Sequence, residues 1–318
     1  MTETWLVTGG AGYIGSHVAR SVVAAGHDVV VLDDLSTGLA SRVEGELVVG
    51  DCGDGALVRD VLTRHRVTGV IHLAAGKAVE ESVNQPIAYY RRNVTAMVEL
   101  LAAMADTDVD RIVYSSSAAV YGETQAALVT EDDPTVPVSP YGETKVVGEW
   151  LVRAQARAVG LRYAALRYFN VAGAGSPELA DTTTTNLIPL VLQALEEGRA
   201  PLIFGDDYPT PDGTCVRDYI HVADLARAHV DAIGLLAEPG AGATLNVGTG
   251  VGYSVRDVIS VALEVTGSDI KAEVTPRRAG DPPQVVADTS RILAATPWRP
   301  EHDLRAMVVS AWEARQAR

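Results

Sequence analysis

Short runs rich in Val, Ile and Leu alternate with longer amphipathic segments through the first half of the chain, and this alternation restricts the fold more than any other feature. The runs occupy residues 4–8, 28–32, 46–49, 69–73 and 111–115, and helical patterns span 14–25, 56–66 and 89–105. Strand followed by helix, repeated, predicts βαβ units and a parallel sheet. The runs are apolar at both alternating positions, as helices on both faces of the sheet require. The expected fold class is α/β, a doubly wound parallel sheet.

Beyond Arg167 the alternation loosens into Asn170-Val171-Ala172-Gly173-Ala174-Gly175, a threonine run at 182–185 and a Pro- and Gly-punctuated stretch at 205–213, all of which read as loops. Periodic segments return at 223–236 and 254–265. We expect residues 1–168 to form the sheet domain, with 214–248 crossing back to it. Residues 169–213 and 249–318 are then a smaller C-terminal substrate-binding lobe.

Composition narrows the function. With 47% hydrophobic and 21% charged residues the chain has ordinary globular usage. A formal charge of −15 has the wrong sign for holding nucleic acid through its phosphates. Cys52 and Cys215 are far apart and have no metal-ligand spacing, so neither a disulfide framework nor a zinc site is expected. The N-terminus lacks the pattern of a signal peptide, and no run reaches membrane length, which predicts a cytoplasmic protein.

Directly after the first run comes Thr8-Gly9-Gly10-Ala11-Gly12-Tyr13-Ile14-Gly15, followed by a helical pattern. Such glycines permit a tight turn, admit a pyrophosphate to the backbone amides and let helix pack closely on strand. Asp33 lies at the end of the second run, about the 20 residues onward that a dinucleotide site of Rossmann type requires. Its carboxylate suits a ribose diol and would repel the extra phosphate of an NADP-type cofactor, so NAD is the expected cofactor. Asp51, near the end of the third run, is placed to reach the adenine amine.

Ser139-Pro140-Tyr141-Gly142-Glu143-Thr144-Lys145 reads as a helix start that sets Tyr141 and Lys145 one turn apart on one face. Upstream, Tyr114-Ser115-Ser116-Ser117 places hydroxyls at the end of an expected strand, where open α/β sheets bind ligands. The chain has three lysines, at 77, 145 and 271, among many arginines, so a lysine retained at 145 points to a need for a compact ammonium. At about 6 Å and an effective dielectric near 20, that ammonium favours a phenolate by about 2.8 kcal/mol. A positively charged oxidised nicotinamide would favour it further, coupling the basicity of Tyr141 to the redox state of the cofactor.

The Ser117, Tyr141 and Lys145 trio resembles the catalytic apparatus of the extended short-chain dehydrogenases/reductases, and longer segments resemble the UDP-glucose 4-epimerase family within them. These are residues 8–17, 72–79, 115–122, 167–170, 205–214, 216–222 and 277–281, so the resemblance spans nearly the whole chain. It implies an isomerase in which Tyr141 takes the proton of the sugar 4-hydroxyl, Ser117 bonds the same oxygen and NAD holds the C4 hydride until it returns to the other face. It implies NAD contacts from Gly9, Gly12, Tyr13, Ile14, Gly15, Asp33, Asp34, Leu35, Ser36, Thr37, Gly38, Asp51, Cys52, Leu73, Ala74, Ala75, Lys77, Asn93, Ser115, Tyr141, Lys145 and Phe169. The UDP-hexose would meet Lys77, Ser117, Tyr141, Asn170, Asn186, Leu187, Leu202, Phe204, Arg217, Arg278, Asp281 and Val285, with the two arginines on the diphosphate. The resemblance also implies a homodimer, and a substrate-size gate at Val285 that admits UDP-GlcNAc beside UDP-glucose.

Three rival activities share the fold. Sugar-nucleotide 4,6-dehydratases need a further acid and base, and Ser116-Ser117-Ala118 supplies no carboxyl. A UDP-glucuronate-directed epimerase or decarboxylase uses the same trio. A regulator that senses NAD without turnover would have no use for it.

Overall fold

A computed structural model of the protein describes residues 2–317 apart from 125, 184 and 279, so Ala279 of the 277–281 motif lies outside the described residues. The N-terminal elements are β1 (Thr4–Thr8), α1 (Tyr13–Ala24), β2 (Asp28–Asp33), β3 (Glu46–Val49), α2 (Gly55–Arg64), β4 (Gly69–His72), α3 (Val79–Asn84), α4 (Pro86–Tyr89), α5 (Ala96–Asp106), β5 (Arg111–Ser117), α6 (Pro140–Val159) and β6 (Arg162–Tyr168). There follow β7 (Asn170–Ala172), α7 (Leu187–Glu196), β8 (Leu202–Phe204), β9 (Val216–His221), α8 (Val222–Leu235), β10 (Gly242–Val247), β11 (Gly252–Ser254), α9 (Val255–Thr266), β12 (Glu273–Thr275), β13 (Gln284–Val285), α10 (Ser290–Ala295) and α11 (Leu304–Gln316).

Seven strands form one parallel sheet in the order β10-β6-β5-β4-β1-β2-β3, the doubly wound arrangement expected from the alternating pattern. Successive residues bury opposite faces. Leu6, Val70 and Ile112 join a core with Val61, Met97 and Leu100 under α2 and α5, while Trp5, Val7, Ile71 and Val113 join Val18, Val22 and Leu225 under α1 and α8. Strand order reverses between β1 and β4, which opens the crevice where ligands bind in such sheets.

The expected helix over 89–105 is broken: α4 ends at Tyr89, the six residues Tyr90–Thr95 form a wider π-type turn, and α5 resumes at Ala96. Helical periodicity alone does not register such a turn, because its apolar spacing stays close to that of an α-helix. β5 runs two residues beyond the expected stretch and ends on Ser117.

Segment 214–248 divides between the two parts of the molecule. β10 closes the edge of the large sheet beside β6 and α8 packs along α1, whereas β9 sits centrally in the smaller sheet, bonded to β7, β11 and β13. β9 pairs in parallel with β7, and β10, after the helix α8, takes the place beside β6. In the C-terminal part, α7, α9 and α11 bury Val191, Leu192, Val258, Ile259, Met307 and Val308 together, and β8 pairs with β12. Among the described residues, no helix is long and apolar enough to cross a membrane.

Candidate active site

The turn between β1 and α1 is shaped for close approach. Gly9 has φ +73°, and a Cβ there would lie 2.7 Å from the Ala74 amide nitrogen on the loop after β4. A Cβ on Gly15 would lie 2.1 Å from the Gly9 carbonyl oxygen, so helix and turn touch only because both positions lack side chains. No side chain caps the first turn of α1, leaving its amides directed at the crevice. This cradle fits a dinucleotide pyrophosphate.

Asp33 is buried, and its carboxylate accepts the Ala11 amide at 2.9 Å and the Leu35 amide at 2.8 Å. It therefore ties the glycine turn to the loop that follows β2, and its remaining lone pairs suit a ribose diol. Asp34 accepts both the amide and the hydroxyl of Ser36, Leu35 takes φ +57°, and Thr37 and Gly38 complete the loop beneath Ala11. Asp51 is exposed and accepts the Gly53 amide at 2.7 Å, and burial with neighbouring carboxylates lifts the adjacent Cys52 thiol to about 12. That thiol is inert at neutral pH.

Two expected contacts have work within the protein. Tyr13 donates its hydroxyl to the Gly173 carbonyl at 2.6 Å, so only its backbone, with that of Ile14, faces the crevice end of α1. Asn93, buried in the π-type turn, accepts the Gly76 amide at 2.8 Å and donates to the Gly76 carbonyl and the Thr144 hydroxyl. One amide hydrogen braces the loop after β4 at Gly76 and the other ties it to Thr144 of α6, and Lys77 beyond that loop is exposed. The resemblance implies a cofactor contact for Asn93, and within the protein its partners are a loop and a helix.

The three catalytic candidates meet at the C-terminal end of β5. Ser139 accepts the Gly142 amide and Pro140 opens α6, fixing where Tyr141 begins the helix. Lys145 Nζ donates to the Ser115 carbonyl at 2.7 Å and stands 5.8 Å from the centre of the Tyr141 ring. Ser117 Oγ accepts the Ala119 amide at 3.2 Å and hydrogen-bonds the Tyr141 phenol. Burial raises the Tyr141 pKa while the Ser117 bond lowers it, and burial brings Lys145 down to about 7. Burial therefore favours the neutral phenol, and a further positive charge beside it would favour the phenolate.

The expected UDP contacts lie across the crevice in the smaller part. Arg217 on β9 pairs with Asp281 at 3.7 Å, and Val285 on β13 is directly opposite Arg217 in the sheet register. The Arg278 guanidinium stacks on Phe204 at 3.8 Å, while Arg277 is held by Asp207 at 2.6 Å. A cavity of about 350 Å³ is bounded by Arg277, Arg278, Asp281, Tyr208, Glu123 and Thr124. Asn170 and Asn186 are exposed at the starts of β7 and α7, Leu187 opens α7, and Leu202 is a partly exposed β8 residue. Val285 and Phe169 are buried together with Val120 and Val146, beside the catalytic turn.

The family model for the NAD dependent epimerase/dehydratase family matches residues 5–248. The chain belongs to this family. Among curated relatives it is 47% identical to UDP-glucose 4-epimerase of Azospirillum brasilense, over 97% of this chain and 91% of that protein. It is 46% identical to UDP-glucose 4-epimerase of Corynebacterium glutamicum, over 96% of this chain and 94% of that one. Among solved structures it superposes on UDP-glucose 4-epimerase from Brucella ovis in complex with NAD with a TM-score of 0.95, at 40% identity and 98% coverage of both chains. The corresponding enzyme from Bifidobacterium longum, in complex with NAD+ and UDP, gives a TM-score of 0.92 at 36% identity, covering 99% of this chain and 98% of that one.

Several residues of this epimerase/dehydratase family member drew no role from the sequence. His17 accepts the Gly175 amide at 2.9 Å and binds the Tyr13 carbonyl at 2.8 Å, joining α1 to the 173–175 loop. Glu149 and Arg167 form a buried pair behind Ser116. The signal for Glu149 was present as its place four residues after Lys145, on the same helical face.

Proposed function

We propose that the protein is an NAD-dependent UDP-glucose 4-epimerase, interconverting UDP-glucose and UDP-galactose in the cytoplasm, in galactose metabolism. The observation that supports this best is the convergence of Ser117, Tyr141 and Lys145 at the C-terminal end of β5, on the same side of the sheet as the glycine cradle, with Arg278 on the cavity and Arg217 paired to its Asp281.

Bound NAD supplies reversible acceptance of a hydride from sugar C4. Tyr141 accepts the 4-hydroxyl proton and later returns it, so it is base in one direction and acid in the other. Ser117 hydrogen-bonds the sugar 4-oxygen beside Tyr141, while Lys145 lowers the cost of the phenolate by its charge. Glycine amides of the cradle, with Asp33 on the ribose, hold the cofactor; Arg217 and Arg278 clamp the diphosphate through planar charge-assisted donors. The nucleotide end is thereby fixed, and the hexose is left free to present its other face before reduction.

The sheet domain and the β10 edge form the cofactor half of this scheme, and the elements around α7, α9 and α11 form the substrate half. A homodimer is expected, because Val83 and Ile87 on α3 and α4, Val98 on α5 and Trp150 on α6 expose apolar side chains. By the family resemblance a small residue at 285 accompanies acceptance of acetylated sugars, so UDP-GlcNAc is an expected second substrate. The carboxylate buried behind the serines, Glu149, is engaged by Ser116 and Arg167 and is not offered to a dehydratase step.

The decisive experiment incubates the purified protein with UDP-galactose and no added cofactor and identifies the product. UDP-glucose is expected. Absence of conversion across several UDP-hexoses by protein loaded with NAD would overturn the assignment, and turnover of UDP-glucuronate alone would redirect it.

A further inference from the structure

Tyr141, Lys145 and Glu149 are spaced by four residues on one stripe of α6, and each meets one of three consecutive serines of β5. Tyr141 bonds the Ser117 hydroxyl, Lys145 the Ser115 carbonyl, and Glu149 Oε1 accepts the Ser116 hydroxyl at 2.6 Å. The first two contacts belong to the proton-transfer apparatus. The third touches no position open to a ligand: Glu149 and Ser116 are each about 1% exposed.

Behind that contact stands a fork. Arg167 on β6, the register partner of Ser116, donates Nε to Glu149 Oε1 at 2.8 Å and Nη2 to Oε2 at 2.7 Å. Arg153 donates to the same carboxylate at 2.6 Å. The remaining Arg167 nitrogen, Nη1, donates to the Tyr121 hydroxyl at 2.9 Å and the Glu131 carbonyl at 3.2 Å, and Tyr121 donates in turn to Asn246 at 2.6 Å. Ser117 therefore lies between two fixed points, Ser116 held by Glu149 on one side and Tyr121 held by Arg167 on the other.

We propose that the Glu149–Arg167 pair is a positioning device for the reaction, locking α6 to the end of β5 in the register that brings Tyr141 onto Ser117 and Lys145 onto the Ser115 carbonyl. A bidentate guanidinium–carboxylate pair has a fixed planar geometry, which a hydrophobic contact of the same size lacks. Small displacements matter here, since misplacing a reacting group by about 1 Å can cost on the order of 10²-fold in rate. The inference rests on the epimerase reading above.

The test uses Ser116→Ala, which removes only the hook to Glu149, and Glu149→Gln, which keeps an acceptor for Ser116 and removes the charge facing Arg167. Both are compared with the unaltered protein as NAD-loaded enzyme, with rates normalised to bound cofactor so that loss of folded protein does not enter. For Ser116→Ala we expect kcat about 10-fold lower, KM for the UDP-sugar within about twofold, and the rising limb of the kcat–pH profile moved to higher pH, because the phenolate loses its partners. A second readout needs no turnover: the ultraviolet difference titration of Tyr141, assigned by subtraction of Tyr141→Phe, should move in the same direction. Unchanged kcat per bound NAD together with an unchanged titration would overturn the proposal and leave the pair a stabilising feature only. Inactivity of the unaltered enzyme would count against the epimerase reading alone, since the phenol titration still decides the positioning claim; if Glu149→Gln does not fold, Ser116→Ala decides it.

Discussion

Replacing Lys145 with methionine isolates the electrostatic part of catalysis, because methionine keeps much of the buried stem and loses the charge. The ammonium stands 5.8 Å from the Tyr141 ring centre, so at an effective dielectric near 20 it favours the phenolate by about 2.9 kcal/mol, about 100-fold in phenolate population. Burial lowers Lys145 to about 7, which by itself would leave the amine half neutral at physiological pH. The coupling is reciprocal, however. A phenolate at Tyr141 holds the proton on Lys145 as strongly as Lys145 favours the phenolate, so the pair charges together when the site is primed. The variant should therefore lose about 100-fold in kcat at pH 7 and recover part of it as pH rises. The assay is steady-state conversion of UDP-galactose between pH 6 and 10, on enzyme with its NAD content measured. A uniform loss with no movement of the rising limb would refute the electrostatic account and assign Lys145 to cofactor binding alone.

Tyr141→Phe should lower kcat by about 10²- to 10⁴-fold while UDP binding, measured by calorimetry, stays near that of the native protein; unchanged turnover would place the proton transfer elsewhere. Val285→Tyr adds bulk to a buried position packed against Phe169 and Val146, and overpacking of about 1–3 kcal/mol predicts a 5- to 150-fold lower preference for UDP-GlcNAc over UDP-glucose, read as a ratio of kcat/KM values. An equal change for both sugars would show that the residue does not gate size. Stability should fall in acid. Burial depresses His17, His221 and His229 to about 4 and His72 to about 3, so between about pH 6 and 5 the unfolded chain binds nearly four protons that the native state refuses, a difference that shrinks as pH approaches 4. Asp218, raised to about 6, offsets one of them, leaving a net loss of about 4 kcal/mol per pH unit as pH falls; a flat urea midpoint across that window would contradict these assignments.

The layered sheet and the cofactor turn were legible in the sequence because their causes are local. Apolar residues on both faces of Trp5–Leu6–Val7 require cover on both sides of a strand, and the positive φ of Gly9 and its contact with Gly15 arise within one turn, although the Ala74 loop that also presses on Gly9 comes from far along the chain. The helix start at Ser139–Pro140 likewise set the spacing of Tyr141 and Lys145 without reference to anything distant. Tertiary structure alone decided what depends on groups far apart in the chain. It turned Asn93 inward to Gly76 and Thr144, broke the helix at Tyr90–Thr95, and divided segment 214–248 between two sheets. It also brought Arg167 to Glu149 and Tyr121, contacts separated by 18 and 46 residues. A sequence displays the residues that can carry charge, but a buried charge persists only where the fold supplies its partners, and those partners come together only when β5, β6 and α6 pack.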